Sequence, residues 1–147
     1  MKVTLHLTDH GLQGWSTLLS KWCQLYHGTP LMHVAVQVGD VVLDSSPARG
    51  SSFVPAAAWL RAARPVRSHI VGEISDFDWR DHVDLEGQTI NPWLIAWCDL
   101  WRKPCTNCVT VSRQLLNALG FNVPEVRLPV DLADWTSNEE QERPTSG

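Results

Sequence analysis

The feature that most constrains the fold is a hairpin pattern in residues 32–45. Apolar side chains alternate with other residues along Met32–Val38, and a second run, Val41–Ser45, follows directly. Gly39 and Asp40 separate the two runs, and a short glycine-containing connection between such runs is typical of a tight β-hairpin. The pattern therefore predicts two antiparallel strands, which need further strands and a covering layer to be stable.

Weaker patterns elsewhere predict an α+β fold around this hairpin. Period-two alternation indicates strands, whereas apolar residues at i, i+3 and i+4 indicate helices. Further strands are predicted at Lys2–Leu7, Val66–Ile74 and near Val126–Leu128, and helices at Trp15–Tyr26, Pro55–Ala63, within Phe77–Gly87, at Pro92–Trp101 and after Cys108. The segment Ser46–Ser52 is rich in serine, glycine and proline, which predicts a loop.

The chain has no internal repeat and no linker composition, so residues 1–136 are predicted to form a single domain. A chain of 147 residues is long enough to bury about two-thirds of its unfolded surface. The segment after Thr136 is polar and acidic and ends in Pro-Thr-Ser-Gly. Residues 137–147 are therefore predicted to be a disordered tail.

Composition and charge limit the classes of function. The net charge is −4 and no basic stripe is present, which argues against a nucleic-acid partner. No apolar run approaches the about 20 residues of a membrane span. The first residues lack the apolar core of a secretory signal, so the chain is expected to be cytoplasmic as synthesised, unless a particle such as a virion carries it out. The eight tryptophans supply core and groove bulk, or alternatively line an aromatic cleft.

The second informative stretch runs from Cys105 into the predicted helix that ends at Gly120. The residues of its apolar stripe recur at helical spacing: Val109, Ser112, Leu115, Leu116 and Leu119. Cys108 is thereby placed at or near the helix N-terminus, where free N–H groups and the helix dipole favour an anion. Since a thiolate is such an anion, Cys108 is a candidate nucleophile. Cys23 and Cys98 fall on apolar helical stripes and are expected to be structural.

The hairpin supplies two groups that could serve this thiol. His33 and Asp44 lie on opposite strands, and counting outward from Gly39 places them within diagonal cross-strand reach. A carboxylate beside an imidazole fixes its tautomer and orientation. A helix-terminal Cys108, a His33 base and an orienting Asp44 are therefore the parts needed for nucleophilic attack on an acyl carbon, with N–H groups of the Cys108 helix binding the oxyanion. This chemistry needs no metal and no cofactor.

Two other interpretations of these residues stay open. Six histidines and four cysteines produce such triples by chance, so His33 and Asp44 could be structural and Cys108 buried. Alternatively, Cys105 and Cys108 form a C-x-x-C that could be redox-active or hold a metal or an iron–sulfur cluster, with Cys23 and Cys98 or histidines such as His27 as distant ligands. In a chain without a signal, the cysteines are expected to be reduced.

Residues 32–45, Met-His-Val-Ala-Val-Gln-Val-Gly-Asp-Val-Val-Leu-Asp-Ser, followed by Asn-Cys-Val-Thr-Val-Ser-Arg-Gln-Leu-Leu from Asn107, resemble the circularly permuted branch of the NlpC-type papain-like superfamily. This branch includes lecithin–retinol acyltransferase-like proteins and related thiol hydrolases. In it the hairpin with the histidine precedes the helix with the cysteine. The resemblance covers roughly residues 30–120 and maps its site onto His33, Asp44 and Cys108; Val109 departs from the Ser or Glu that often follows the cysteine.

The resemblance implies a permuted papain-like α+β domain whose antiparallel sheet packs against the Cys108 helix. It also implies a thiol hydrolase or acyltransferase that forms an acyl-cysteine. The expected substrate is a peptide bond in peptidoglycan, or alternatively a lipid-like ester or thioester. Members of the superfamily occur in phage tails, so other tail proteins are conceivable partners and the virion a conceivable location. The competing class is a structural or assembly protein, for example of a phage tail, that keeps the fold without the activity.

Overall fold

The computed structural model describes residues 1–9, 25, 33–46, 49–91, 97–98, 101 and 105–142, except for the side chains of 138–142. Five antiparallel strands form one sheet in the order β4-β3-β2-β1-β5. Their bounds are Lys2–Thr8 for β1, His33–Val38 for β2, Val41–Ser46 for β3, Gly50–Pro55 for β4 and Arg67–Glu73 for β5. The predicted α+β class with an antiparallel sheet is confirmed.

The hairpin is formed by β2 and β3 as the alternation predicted. Val38 pairs with Val41 across the turn, and Gly39 takes a positive φ of 59° that suits glycine. On its other side β2 pairs with β1, so that Thr8 lies opposite His33. The first strand of the chain therefore lies inside the sheet, between β2 and β5.

Three α-helices accompany the sheet in the described part of the chain: α1 at Ala56–Ala63, α2 at Cys108–Ala118 and α3 at Pro129–Glu142. A 3-10 helix spans Trp79–Leu85. One face of the sheet packs against α2 and α3 and forms the main apolar core. Its fully buried members include Leu5, Leu7, Val34, Val36, Leu43, Leu115, Leu116 and Leu132. The Cys108 helix thus packs against the sheet, as predicted.

The opposite face of the sheet packs against α1. A smaller apolar cluster forms there from Ala35, Val42, Ala56 and Trp59. Because residues directly opposite in antiparallel strands share a face, His6 lies on this same side, opposite Ala35. The α1 face therefore combines small apolar residues with polar ones.

Three predictions about loops and ends are wrong in part. Residues 50–52 belong to β4 rather than to the predicted loop. No strand forms over 126–128, which is irregular. The tail predicted from residue 137 is helical as far as Glu142, because α3 continues through it and buries Leu132 and Thr136. Residues 143–147 lie outside the described residues.

The remaining helix predictions have mixed outcomes. The helix at Pro55–Ala63 is confirmed, with Pro55 as its N-cap residue, and the element within 77–87 is a 3-10 helix. The helix predicted at 15–26 lies outside the described residues except for Leu25, and most of the helix predicted at 92–101 also does. No helix in the described part of the chain has both the length and the apolarity of a membrane-crossing segment.

Candidate functional site

Cys108 is the first residue of α2, directly after the N-cap residue Asn107. The Asn107 side chain accepts a hydrogen bond from the Thr110 N–H at 2.9 Å, and the Thr110 hydroxyl accepts one from the Asn107 N–H at 2.8 Å. This reciprocal capping box fixes the start of the helix and hence the direction in which the Cys108 side chain leaves it. The thiol is free and half-buried.

The capping box also determines which backbone N–H groups in the first turn of α2 stay available as hydrogen-bond donors. The Thr110 N–H bonds to the Asn107 side chain, and the Val111 N–H bonds to the Asn107 carbonyl at 3.1 Å. The N–H groups of Cys108 and Val109 belong to the helix end that has no intrahelical acceptors. They therefore lie beside the thiol, where they could donate hydrogen bonds to an anion.

His33 and Asp44 form the closest polar pair of the site. The distance between His33 Nε2 and Asp44 Oδ1 is 2.7 Å, and the two side chains are 11% and 12% exposed. The hairpin explains this contact. Because Val36 pairs with Leu43, the next residues outward place Asp44 opposite Ala35. His33 is two residues from Ala35 on the same face of the sheet, so it is a diagonal neighbour of Asp44. The predicted cross-strand pair is therefore present.

The His33 ring also lies within side-chain hydrogen-bonding range of the Cys108 thiol. Since Asp44 occupies Nε2, the other ring nitrogen, Nδ1, is the one left for sulfur. Burial lowers the pKa of His33, but hydrogen bonds to Asp44 and Cys108 and the charges of both groups outweigh burial and raise this pKa to about 10. The structure thus brings the imidazolium, the carboxylate and the thiol together where β2 begins.

Asp44 interacts with two other groups besides His33. Burial raises its pKa, but the hydrogen bond and charge of His33, a hydrogen bond from Trp59 and the charge of Arg49 together hold the pKa below its usual value. Asp44 is therefore a carboxylate with donors on two sides. Trp59 comes from α1, so this helix takes part in the site although no sequence pattern pointed to it.

Cys105 lies just before the capping box and is half-buried. The structure shows no disulfide between Cys105 and Cys108, and the Cys98 thiol is likewise not in a disulfide. Among the residues that the structure describes, no three His, Cys, Asp or Glu side chains are arranged as metal ligands. Cys23 and His27, which the metal hypothesis also requires, lie outside the described residues.

Sequence reasoning identified the three interacting side chains but missed two supporting ones. Trp59 is 8% exposed and was only one of eight tryptophans. His6 is buried under it, with ring centroids 5.5 Å apart. The signal available for His6 was weak, because it occupies the same alternating polar positions of the strand as Lys2 and Thr4. In contrast, Trp97 and Trp101 are more than half exposed and contact each other.

Comparison with protein-family models, with curated proteins and with solved structures finds no match to this chain.

Proposed function

We propose that this protein is a thiol hydrolase that acts through an acyl-cysteine, built on a permuted papain-like domain. The observation that supports this most is that a single imidazole, His33, is hydrogen-bonded to the carboxylate of Asp44 and lies near enough to the helix-terminal thiol of Cys108 for that thiol to raise its pKa. An orienting acid, a base and a nucleophile in this order are the arrangement that covalent acyl transfer requires.

In the first half of the reaction, His33 holds the proton of the Cys108 thiol at Nδ1, and the Cys108 sulfur attacks the carbonyl carbon of the substrate. The carbonyl oxygen gains negative charge and accepts hydrogen bonds from the Cys108 and Val109 N–H groups. The tetrahedral intermediate collapses when the carbon–nitrogen or carbon–oxygen bond breaks, and the His33 imidazolium donates its proton to the leaving group. The product of this half is an acyl-cysteine and a free amine or alcohol.

In the second half, His33 is neutral and can accept a proton. A water molecule attacks the acyl carbon while His33 removes its proton, and the carbon–sulfur bond then breaks. The carboxylic acid leaves, and the imidazolium beside Cys108 is restored. Asp44 keeps Nε2 protonated throughout, so that Nδ1 is the nitrogen that exchanges protons with sulfur, water and leaving group.

The substrate class we propose is a peptide of the bacterial cell wall. This assignment rests on the resemblance of the hairpin and helix motifs to wall-cleaving thiol hydrolases. The same resemblance leaves a lipid-like ester or thioester as the alternative acyl donor, and a phage tail as the particle that would bring such an enzyme to the wall. The two acyl donors differ in the bond cleaved, so product analysis separates them.

The first test measures thiol reactivity, because an activated nucleophile must be distinguished from a structural cysteine. Iodoacetamide is added near neutral pH, and mass spectrometry follows the alkylation of each cysteine. We expect Cys108 to react at least about tenfold faster than Cys98 and Cys105, since a neighbouring imidazolium favours the reactive thiolate. Equal rates at Cys108 and Cys98 would remove the basis of the proposal.

The second test measures cleavage. Purified peptidoglycan and a p-nitrophenyl ester are each incubated with the protein, and new amino groups or released nitrophenol are quantified. We expect Cys108→Ser to abolish release and Cys105→Ser, a matched change three residues away, to retain it. Release of amines assigns a peptidase or amidase, and release of nitrophenol alone assigns an esterase. A reactive Cys108 that cleaves neither compound would instead favour the structural class.

A further inference from the structure

Trp59 connects the covering helix α1 to the candidate site. Its ring packs against Ala35 and Val42, the small residues that flank Asp44 on this face of the sheet. The Trp59 side chain is therefore close to Asp44, and its indole N–H is the group that interacts with the carboxylate and lowers the pKa of Asp44. Large tryptophan rings that are buried usually place their N–H against an acceptor, and here the acceptor belongs to the site.

The other side of the Trp59 ring lies against a histidine whose orientation is fixed. His6 contacts Ser68 Oγ through Nδ1 at 2.7 Å and Gln37 Oε1 through Nε2 at 2.8 Å. The Gln37 amide nitrogen donates to the Gly39 carbonyl at 2.6 Å, so its oxygen must be the atom that faces His6. His6 therefore donates from Nε2 and accepts from the Ser68 hydroxyl at Nδ1.

Burial keeps His6 neutral, because it lowers the pKa of His6 and outweighs the opposing effect of the hydrogen bond that His6 donates to Gln37. A neutral ring with both nitrogens engaged has no freedom to flip, and it forms a rigid support under Trp59. A continuous set of contacts thus leads from the β2–β3 turn through Gln37, His6 and Trp59 to Asp44.

The carboxylate needs such support. Asp44 uses Oδ1 to bind His33, but a carboxylate with one partner can rotate about its terminal torsion. A second donor from a different element fixes the plane of the carboxylate, and this in turn fixes the His33 ring. The polar or charged groups that face Asp44 are His33 from β2, Trp59 from α1 and Arg49 from the segment after β3.

We infer that Trp59, supported by His6, is a positioning residue that orients Asp44 and thereby His33 toward Cys108. This inference rests on the proposed function, because orientation of His33 matters only if Cys108 reacts. Trp59 itself contacts no reacting atom.

The direct test replaces Trp59 by phenylalanine, which keeps most of the ring and removes the N–H. We expect alkylation of Cys108 by iodoacetamide at neutral pH to slow by about tenfold, as loss of one hydrogen bond to a charged group implies. NMR titration should show the pKa of His33 moving down towards 6.5. Trp79→Phe, the same change at a partly buried tryptophan that packs on Phe53, should alter neither measurement.

A role in packing alone predicts a different result. Trp59→Phe would then lower the melting temperature while the His33 pKa and the Cys108 alkylation rate stay at their original values, which would overturn the inference. If the wild-type Cys108 reacts no faster than Cys98, the proposed function fails first. If Cys108 is reactive in the wild type, and Trp59→Phe changes neither the Cys108 alkylation rate nor the His33 pKa, the inference fails while the proposed function stands.

A second measurement needs no change at Trp59. In the folded wild-type protein, the Trp59 indole N–H resonance is followed by NMR and compared with that of Asp44→Asn. We expect the Trp59 resonance to move on this substitution and the Trp79 resonance to stay in place. A Trp59 resonance that does not respond to the loss of the Asp44 charge contradicts the contact on which the inference depends.

Discussion

The two faces of the sheet use the same strands but differ in chemistry. The face under α2 and α3 is lined by large aliphatic side chains that are almost completely buried. The face under α1 places small apolar residues beside His6, Gln37 and Asp44, and each of these polar side chains has a partner. One face therefore supplies most of the apolar burial, while the other can hold polar groups because they bind one another.

The largest effect is expected on the aliphatic face. Leu115 is fully buried on α2, and Leu115→Ala should lower the free energy of unfolding by about 3 kcal/mol through lost burial and a cavity. Chemical denaturation measures this loss. The exposed Val83 provides the control, since Val83→Ala should change stability by less than about 0.5 kcal/mol. Equal losses in the two variants would contradict the assignment of the core.

A change of similar size is expected on the polar face, but in reactivity. Asp44→Asn removes the charge that holds His33 and should slow Cys108 alkylation by about a hundredfold, as the loss of a hydrogen bond between charged groups implies. Asp40→Asn, an equivalent change at an exposed site in the same hairpin, is the control. If Cys108 is alkylated at the wild-type rate in both variants, the polar face of the sheet does not control the reactivity of this thiol.

A somewhat smaller effect is expected where the aliphatic face ends at the edge strand β4. Gly50 has a φ of +71°, and a Cβ there would lie 2.8 Å from the Gln88 carbonyl oxygen. Gly50→Ala should therefore lower the free energy of unfolding by about 2 kcal/mol from strain and steric overlap. Gly87→Ala has the same kind of strain at φ +73° but nothing near its Cβ, so it should cost about half as much. If the two variants lose the same free energy of unfolding, the close approach to the Gln88 carbonyl makes no steric contribution.

A more gradual effect, spread over several pH units, is expected from titration of the His33–Asp44 pair. Because the folded-state pKa of His33 lies above 6.5, its contribution to stability is complete below pH 6.5 and is lost as pH rises towards about 10. Because the folded-state pKa of Asp44 lies below 3.8, its contribution is complete above pH 3.8 and is lost on acidification. The free energy of unfolding should fall above pH 6.5 by at most about 1.4 kcal/mol per pH unit.

Denaturation at several pH values in wild type and Asp44→Asn measures this slope. The variant should show a shallower decline on the alkaline side, since His33 has lost its nearest negative charge. Asp40→Asn should keep the wild-type slope. Identical slopes in wild type and Asp44→Asn would show that the pair does not couple to folding.

Local patterns were sufficient for the elements whose periodicity is undisturbed. The hairpin was predictable because alternation is strict on both sides of Gly39. Strand β4 was not, because its first residues, Gly50 to Ser52, have low strand propensity and depend on neighbours. Ser51 is held by β3 on one side and by the Leu85 and Gln88 carbonyls on the other, which no local pattern reveals.

The ends of the chain and the site show the same limit. Helix α3 was missed because its polar composition hides the few buried positions, Leu132, Ala133 and Thr136. The His33–Asp44 pair was predictable because it is local to one hairpin. The interaction of this pair with Cys108 depends on how distant elements pack, so the sequence could suggest it only from the residue types present and from the resemblance. The packing of Trp59 beside Asp44 could not be predicted from the sequence.

The position of β1 has a consequence for the order in which the molecule is completed. Although β1 is made first, it lies between β2 and β5, so it must wait for both of these later strands before its hydrogen bonds are complete. The hairpin can pair as soon as it leaves the ribosome, whereas Cys108 joins it only after a long loop has been closed. During synthesis the thiol is therefore the last of the three groups to arrive, and the nascent chain cannot bring His33, Asp44 and Cys108 together until the Cys108 helix has been made.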